Sequence, residues 1–264
     1  MRGKWLAMGL AGLLGATLAL PAAAQEPVST SMGMVGPTRY FAVPQAQVLD
    51  SGIGVVSTGI LLNANNPLAL GAGSLSLRSQ MGMANNFQLD TGIAASSFNP
   101  LSGQLNLTGK WGMMRQDQGA LASIAGLAGG ILSVDVNGNP RLGAVIGLPI
   151  TANIGIGAVN NLGLSLFPAY NIGYVAPATL LPGGAVPAPA NFLSLGVGAQ
   201  FSLTPNLMLL ADSNLGIPGV TGTQTQTNVG VRYAFAPGLV TDLFVGLNPN
   251  VAAPALGITA HWGF

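Results

Sequence analysis

Apolar side chains alternate with small or polar ones over segments of about ten residues along most of the chain. The closing segment Leu256–Phe264 shows this clearly, with apolar residues at the even positions and small or polar ones at the odd positions. The same period recurs in Phe192–Leu203, Thr223–Phe235 and Gln104–Met113. Because successive side chains of a strand point to opposite faces of a sheet, these segments predict strands with one apolar and one polar face.

The composition indicates that the apolar face meets lipid. Only 6% of the residues are charged, whereas about a quarter are charged in an ordinary soluble domain. A spanning helix needs roughly eighteen or more apolar residues in a row, and the nearest candidate after the N-terminal region, Ala120–Val134, is short and broken by glycines. A closed sheet is the other way to satisfy the backbone in lipid. The sequence therefore predicts an all-β fold, a transmembrane antiparallel up-and-down β-barrel.

The N-terminus has the order of features of a secretory signal peptide. Arg2 and Lys4 precede an apolar run, Leu6–Leu20, which is followed by Pro21 and the small residues Ala22–Ala24. We expect cleavage before Gln25 and export from the cytoplasm of a Gram-negative bacterium.

This gives three regions: a signal peptide (1–24), a periplasmic N-terminal segment (25–50) and the transmembrane β-barrel (51–264). The N-terminal segment contains three prolines and little alternation. Arg39-Tyr40-Phe41 either tucks into the barrel mouth or belongs to a partly ordered tail, and the sequence alone favours the tail.

Residues that favour tight turns separate the strands. Short connections are predicted at 84–86, 204–206 and 236–238, and longer ones at 97–103, 135–140, 216–222 and 176–191. Barrels of this type have short periplasmic turns and long external loops. Twelve strands result, with ten to fourteen left open: 51–62, 68–82, 87–96, 104–113, 119–134, 141–148, 152–175, 192–203, 206–215, 223–235, 239–248 and 255–264.

The segment 152–175 is the least certain of these. A two-residue turn at Asn160-Asn161 would move its apolar positions from even to odd, and they stay even. One long strand therefore fits better, although a three-residue turn would keep the phase.

Aromatic residues collect at the strand ends that this assignment places on the periplasmic side. Amphipathic rings are enriched at membrane interfaces, so we expect a periplasmic aromatic girdle made of Phe87, Trp111, Phe201, Tyr233, Phe235, Trp262 and Phe264.

These features together resemble the bacterial outer-membrane β-barrel proteins, in particular porin-like ones, although no specific family or motif is matched. The resemblance implies an outer-membrane location, contact with outer-membrane lipid, and a C-terminal assembly signal, Trp262 and Phe264, that the barrel-assembly machinery reads.

Two sets of charges alternate in sign across neighbouring strands. With symmetric connections, Asp90 lies opposite Lys110 about Pro100, and Arg78 is as far from Ala84 as Asp90 is. Opposite charges in facing positions stabilise a strand pair, so we expect this set to point inward and brace the wall.

The second set repeats the pattern. Asp212 and Arg232 are symmetric about Gly222, and Arg232 and Asp242 about Pro237. Between Arg141 and Asp212 no residue is charged, so the wall there offers small neutral side chains and little field to select ions.

Other functions find little support. The chain after residue 24 is nearly neutral, with six basic and seven acidic residues, which does not favour nucleic-acid binding. It has no Cys and one His, His261, without a Gly-x-Ser-x-Gly motif. We therefore expect no enzyme, no metal site and no cofactor.

The sequence predicts a passive porin-like channel for small solutes with weak selectivity. The alternative is a non-conducting structural or surface-interaction barrel that its own side chains fill and that binds partners through loop 176–191. Whether side chains fill the lumen discriminates between the two functions. The sequence does not identify the solute or the oligomeric state.

Overall fold

The computed structural model describes residues 37–63, 73–84, 86–98, 101–134, 140–156, 161–174, 190–216, 226–247 and 254–264. Within them, twelve antiparallel strands form one sheet that closes on itself, because β1 pairs with β2 on one side and β12 on the other. No helix in these ranges is long and apolar enough to cross a bilayer. The strands are β1 Gly54–Asn63, β2 Gly73–Ala84, β3 Phe87–Phe98, β4 Leu101–Met114, β5 Ser123–Val134, β6 Pro140–Gly147 with Ile150–Gly155, β7 Asn161–Tyr174, β8 Ala190–Thr204, β9 Leu207–Gly216, β10 Gln226–Ala236, β11 Leu239–Leu247 and β12 Ala255–Gly263.

Strand β6 has two segments that occupy one position in the barrel. Both pair with β5 in the same register, since Gly147 lies opposite Leu127 and Ile150 opposite Ile124. Pro149 lacks the N–H that the ladder would use, but its carbonyl still accepts from the N–H of Ala125 at 3.0 Å. The interruption is thus a missing donor and not a turn.

The predicted alternation is confirmed. In β12 the large apolar residues Leu256, Ile258 and Trp262 are exposed, whereas Gly257 and His261 are buried. Large exposed apolar side chains follow the same alternation around the other strands. The apolar face points outward and the polar face inward, as expected for a barrel in lipid.

The tight turns lie at one end of the barrel, which we call the turn end; the opposite end is the loop end. Turns at Asn86, 205–206 and 237–238 lie there, with positive φ at Asn86 (63°) and Gly238 (77°). A turn of 3-10 helix, Gln116–Gln118, joins β4 to β5. The C-terminal Phe264 closes the sheet at this end, exchanging backbone hydrogen bonds of 2.9 and 3.0 Å with Gly54.

The strand count of twelve and the three tight turns are confirmed, but one boundary is wrong. Segment 152–175 is not one strand: Gly155 pairs with Asn161, so the chain reverses between β6 and β7. The five intervening residues keep the phase of the apolar positions, which is why alternation did not reveal the turn. The connection at 97–103 is also shorter than expected, since Phe98 pairs with Leu101. Residues 176–189 of the predicted loop 176–191 lie outside the described residues, and Ala190 and Asn191 belong to β8.

Candidate functional site

The N-terminal segment 37–49, here called the plug, lies inside the barrel. It is a small hairpin in which Tyr40 N–H donates to Val43 O at 3.0 Å and Gln45 N–H to Thr38 O at 3.1 Å. Tyr40 and Val43 are each 1% exposed and belong to the main buried apolar cluster. The interpretation of Arg39-Tyr40-Phe41 as a partly ordered tail is therefore wrong, because the barrel wall buries the hairpin.

One side of the plug packs on what we call the neutral wall, formed by Ile150–Gly155 of β6 together with β7 and β8. The Tyr40 hydroxyl hydrogen-bonds to Ser165 Oγ at 3.0 Å, and Ala46 N–H donates to Thr151 Oγ1 at 2.9 Å. The amide of Gln45 donates to Gln200 Oε1 at 2.9 Å. Short neutral side chains thus satisfy the polar atoms of the plug.

Glycines of β8 make room for the plug. A Cβ added at Gly198 would overlap the ring of Tyr40, and one at Gly196 would lie 3.0 Å from Val43 Cγ2. Part of the wall of small neutral side chains therefore accommodates the chain's own N-terminal segment.

The opposite side of the plug meets what we call the charged wall, β9–β12 with β1–β4. Asp212 accepts the backbone N–H groups of Ala42 and Val43 at 2.5 and 2.9 Å, together with the amide of Asn228 at 2.7 Å. Hydrogen bonds to an ionised group are stronger than neutral ones. Asp212 is thus the main polar anchor of the plug's tip.

A second anchor holds the base of the plug near the turn end. Lys110 is 1% exposed and donates to Thr38 Oγ1 at 2.7 Å and to Gln45 O at 3.3 Å. The N–H of Leu49 donates to Gln88 Oε1 at 2.9 Å. Since both ends of the hairpin lie at the turn end, the plug enters the barrel from that side.

Beyond the tip of the plug lies a cavity of about 170 Å³, here called the chamber. The plug residues Arg39–Ala42 form one side of it, and β1, β2, β10, β11 and β12 supply the rest. Phe41 stacks on Phe244 of β11, with ring centroids 4.6 Å apart.

A buried polar network lines the chamber. Arg232 Nε and Nη2 donate to the two oxygens of Asp242 at 2.7 and 2.8 Å. His261 Nε2 lies 3.0 Å from Asp242 Oδ2, and its Nδ1 lies 2.8 Å from Ser57 Oγ. Because an ionised carboxylate only accepts, His261 donates from Nε2, which leaves Nδ1 to accept from Ser57.

This order of contacts is that of a Ser–His–Asp triad, but the backbone around Ser57 does not suit acyl transfer. Ser57 pairs with Arg78 on one side and His261 on the other. Its backbone N–H therefore belongs to the sheet and is not free to stabilise an oxyanion, the role that backbone donors play in such sites.

The structure brings together part of the predicted charge sets. Arg232 and Asp242 pair directly, as their symmetry about Pro237 predicts. Asp212 instead lies opposite Asn228, and Met208 opposite Arg232, so the expected Asp212–Arg232 contact is wrong.

The first set is shifted by two residues. Asp90 lies opposite Thr108 and Gln80, and accepts amide hydrogens from Gln80 and Gln88 at 3.0 and 2.5 Å. Within the described ranges, neither Arg78 nor Lys110 forms an ion pair with it. The predicted facing pairs are wrong there, because the connections are not centred on Pro100 and Ala84.

The predicted aromatic residues all lie near the turn end. Trp111 lies opposite Phe87, and Tyr233 and Phe235 meet edge to face with centroids 4.8 Å apart. All but the half-buried Phe201 are exposed: Phe87, Trp111, Tyr233, Phe235, Trp262 and Phe264. Trp262 and Phe264 occupy the strand that closes the sheet.

From the sequence, insertion of Arg39-Tyr40-Phe41 into the barrel was the less favoured of two alternatives. The sequence contained a signal for this insertion: residues 37–49 contain one charge among apolar and amide side chains, whereas disordered tails are polar and charged.

Burial raises the pKa of the Tyr40 hydroxyl to about 12. At the turn end, the hydrogen bond to Asp117 raises the pKa of Arg115.

Among the residues that the structure describes, no group of three or more His or carboxylate side chains could hold a metal ion.

Comparison with known proteins gives structural matches alone: no protein-family model and no curated protein matches the chain. The KdgM porin aligns with a TM-score of 0.56 at 10% identity, over 80% of this chain and 99% of that one. The NanC porin aligns with a TM-score of 0.53 at 9% identity, over 78% and 98%. The outer membrane protein Omp33 of Acinetobacter baumannii aligns with a TM-score of 0.51 at 10% identity, over 83% and 100%.

The chain has the fold of an outer-membrane porin. Its exposed outer face is apolar, as expected for a barrel in lipid. At these identities the likeness concerns the fold, so the function of this barrel has to come from its own lumen.

Proposed function

We propose that this barrel is a passive channel for small solutes whose lumen its own plug closes at the turn end. The observation that supports this proposal is the plug itself. It is a hairpin that enters the barrel from one end and leaves a polar chamber beyond its tip. Asp212 and Lys110 hold the hairpin by hydrogen bonds, and displacing it would connect the chamber to the turn end.

The fold neighbours support a solute as the partner. One KdgM structure is of the porin in complex with disordered oligogalacturonate. A small solute is the corresponding cargo here, and the barrel is not an enzyme. Selectivity follows from the charged wall and is stronger than the neutral residues between Arg141 and Asp212 suggest.

The proposal includes an orientation in the cell. Residues 1–24 direct export, the barrel-assembly machinery reads the closing strand with Trp262 and Phe264, and the turn end faces the periplasm. The aromatic residues at that end then form the periplasmic girdle.

Single-channel recording in planar bilayers tests the function, with residues 25–264 compared against a variant that lacks 25–49. We expect small or rare openings for the former and larger, longer openings for the latter. Heat-modifiable migration in gels verifies that the variant forms a barrel. If the variant does not fold, Asp212→Asn in the full barrel replaces it.

A second function, a non-conducting structural barrel, is favoured by the same burial of Tyr40 and Val43 in the lumen. A folded barrel without its plug that stays electrically silent would establish that function and exclude the channel.

A further inference from the structure

The chamber combines a cavity of limited volume with an unequal distribution of charge. At about 170 Å³ it is smaller than the roughly 300–1,000 Å³ of drug-sized pockets, so it suits a small molecule. Its charged lining residues are Arg39, Arg78 and Asp242.

The carboxylates of the lumen are already occupied. Asp242 accepts from Arg232 at both oxygens and from His261. Asp212 accepts from the plug backbone and Asn228. Asp90 is bound by two glutamine amides and does not line the chamber.

The guanidinium groups of Arg39 and Arg78 are not occupied in this way. In the described part of the chain, neither forms an ion pair. Arg39 Nη2 donates to the carbonyls of Phe41 and Ala42 at 2.8 and 3.0 Å, and its Nε is buried without a hydrogen-bond partner. Asp90 attracts Arg78 only through space. Two like charges that line one partly buried cavity are costly without a counter-ion.

We infer that the chamber binds a small hydroxylated carboxylate, such as a monomeric sugar acid, with its carboxylate held between Arg39 and Arg78. The planar guanidinium group matches a carboxylate in two parallel hydrogen bonds, which favours a carboxylate over a spherical anion. The hydroxyl groups of Ser57, Ser76 and Thr259 line the same chamber and suit the hydroxyls of such a ligand.

The site couples the ligand to the plug. Arg39 belongs to the plug and Arg78 to β2, so the complete site exists only while the plug is seated. A ligand that binds one state better shifts the population toward it. The bound carboxylate therefore stabilises the closed barrel; this consequence rests on the proposed channel function, whereas the binding itself does not.

Isothermal titration of the intact barrel in detergent tests the site, with D-glucuronate as the probe and methyl glucoside as its neutral counterpart. We expect glucuronate to bind and methyl glucoside to bind at least about tenfold more weakly, since hydrogen bonds to charged groups contribute about tenfold or more each. Arg78→Gln weakens glucuronate binding about ten- to a hundredfold.

The matched control is Arg115→Gln, which removes a guanidinium that lies outside the chamber and pairs with Asp117 at 2.6 Å. It leaves glucuronate binding unchanged. If Arg78→Gln fails to form a barrel, Arg39→Gln, which alters the plug and not the wall, takes its place with the same expected loss.

Equal binding of the two sugars, or equal loss in the Arg78 and Arg115 variants, would overturn the site. Titration needs no conduction, so a silent barrel that still binds glucuronate would refute the channel and keep the site. A conducting barrel that does not bind glucuronate would refute the site and keep the channel.

Discussion

The neutral wall and the charged wall hold the same plug by different means. The neutral wall offers shape: Gly198 leaves the space that the Tyr40 ring fills, and Ser165 and Thr151 supply uncharged hydrogen bonds. The charged wall offers anchors: Asp212 binds two backbone N–H groups and Lys110 binds Thr38.

The difference explains how one lumen is both packed and polar. Small neutral residues allow close approach on one side, so the free volume is displaced to the other side, where the charges lie. The chamber consequently forms against β1, β2 and β10–β12 and not against the neutral wall.

The largest contribution of the charged wall to stability comes from the buried Arg232–Asp242 ion pair. Its side chains are 6% and 3% exposed. Breaking a buried pair at one partner costs about 3–5 kcal/mol, because the other charge stays uncompensated. We expect Arg232→Met to lower the free energy of unfolding in lipid by that amount, measured by urea denaturation. The double variant Arg232→Met/Asp242→Leu recovers most of the loss. A single variant within 1 kcal/mol of the parent (about the value of an exposed pair) would contradict this.

Asp212→Asn tests the anchor of the charged wall without altering its shape. The neutral amide loses the charge-assisted bonds to Ala42 and Val43, at a cost of about 1.5–3 kcal/mol to the plugged state. We expect a higher open probability in single-channel recordings. The control is Asp117→Asn, an exposed partner of Arg115 at the turn end, which leaves gating unchanged; an equal change in both variants would show that Asp212 is not a specific anchor.

Gly198→Leu tests the shape of the neutral wall. The added side chain occupies the position of the Tyr40 ring, and overpacking costs about 1–3 kcal/mol. We expect displacement of the plug, seen as larger conductance and as faster proteolysis of the N-terminal segment. Gly130→Leu is the matched control, because a Cβ there meets nothing within 4 Å. An intact, protected plug in the Gly198 variant would show that the wall adapts.

The sequence was sufficient for the features that lipid and tight turns determine. Alternation identified the outward face of β12. The tight turn at Pro237-Gly238 keeps Arg232 close to Asp242 in the pairing, and the irregularity between Ala234 and Ala236 brings the two residues directly opposite each other. Register across the other connections could not be read from symmetry about one residue, because the paired residues are not centred on that residue. Asp212 therefore lies opposite Asn228 and not Arg232.

Two further features depend on contacts far apart in the chain. Pro149 resembles a strand break in sequence, yet the neighbouring ladders on both sides of it keep β6 in one register. The plug fits because the fold places Gly198 and Asp212 against it. Both residues are far from residues 37–49 in the sequence, so that segment alone does not reveal the contacts.

Tyr40→Phe addresses the smallest contribution, one hydroxyl on the neutral wall. The variant keeps the ring beside Gly198 and loses the 3.0 Å hydrogen bond to Ser165, which costs about 0.5–1.5 kcal/mol of plug stability.

The same hydroxyl makes the plug sensitive to alkali. Because burial raises the pKa of Tyr40 from 10.0 to about 12, its contribution to the plugged state is complete below pH 10 and is lost as the pH rises through about 12. We expect the open probability of the parent barrel to increase over that window, and this increase to be absent from Tyr40→Phe. An identical alkaline rise in the variant would assign the titration to another group and would contradict the role of the Tyr40 hydroxyl.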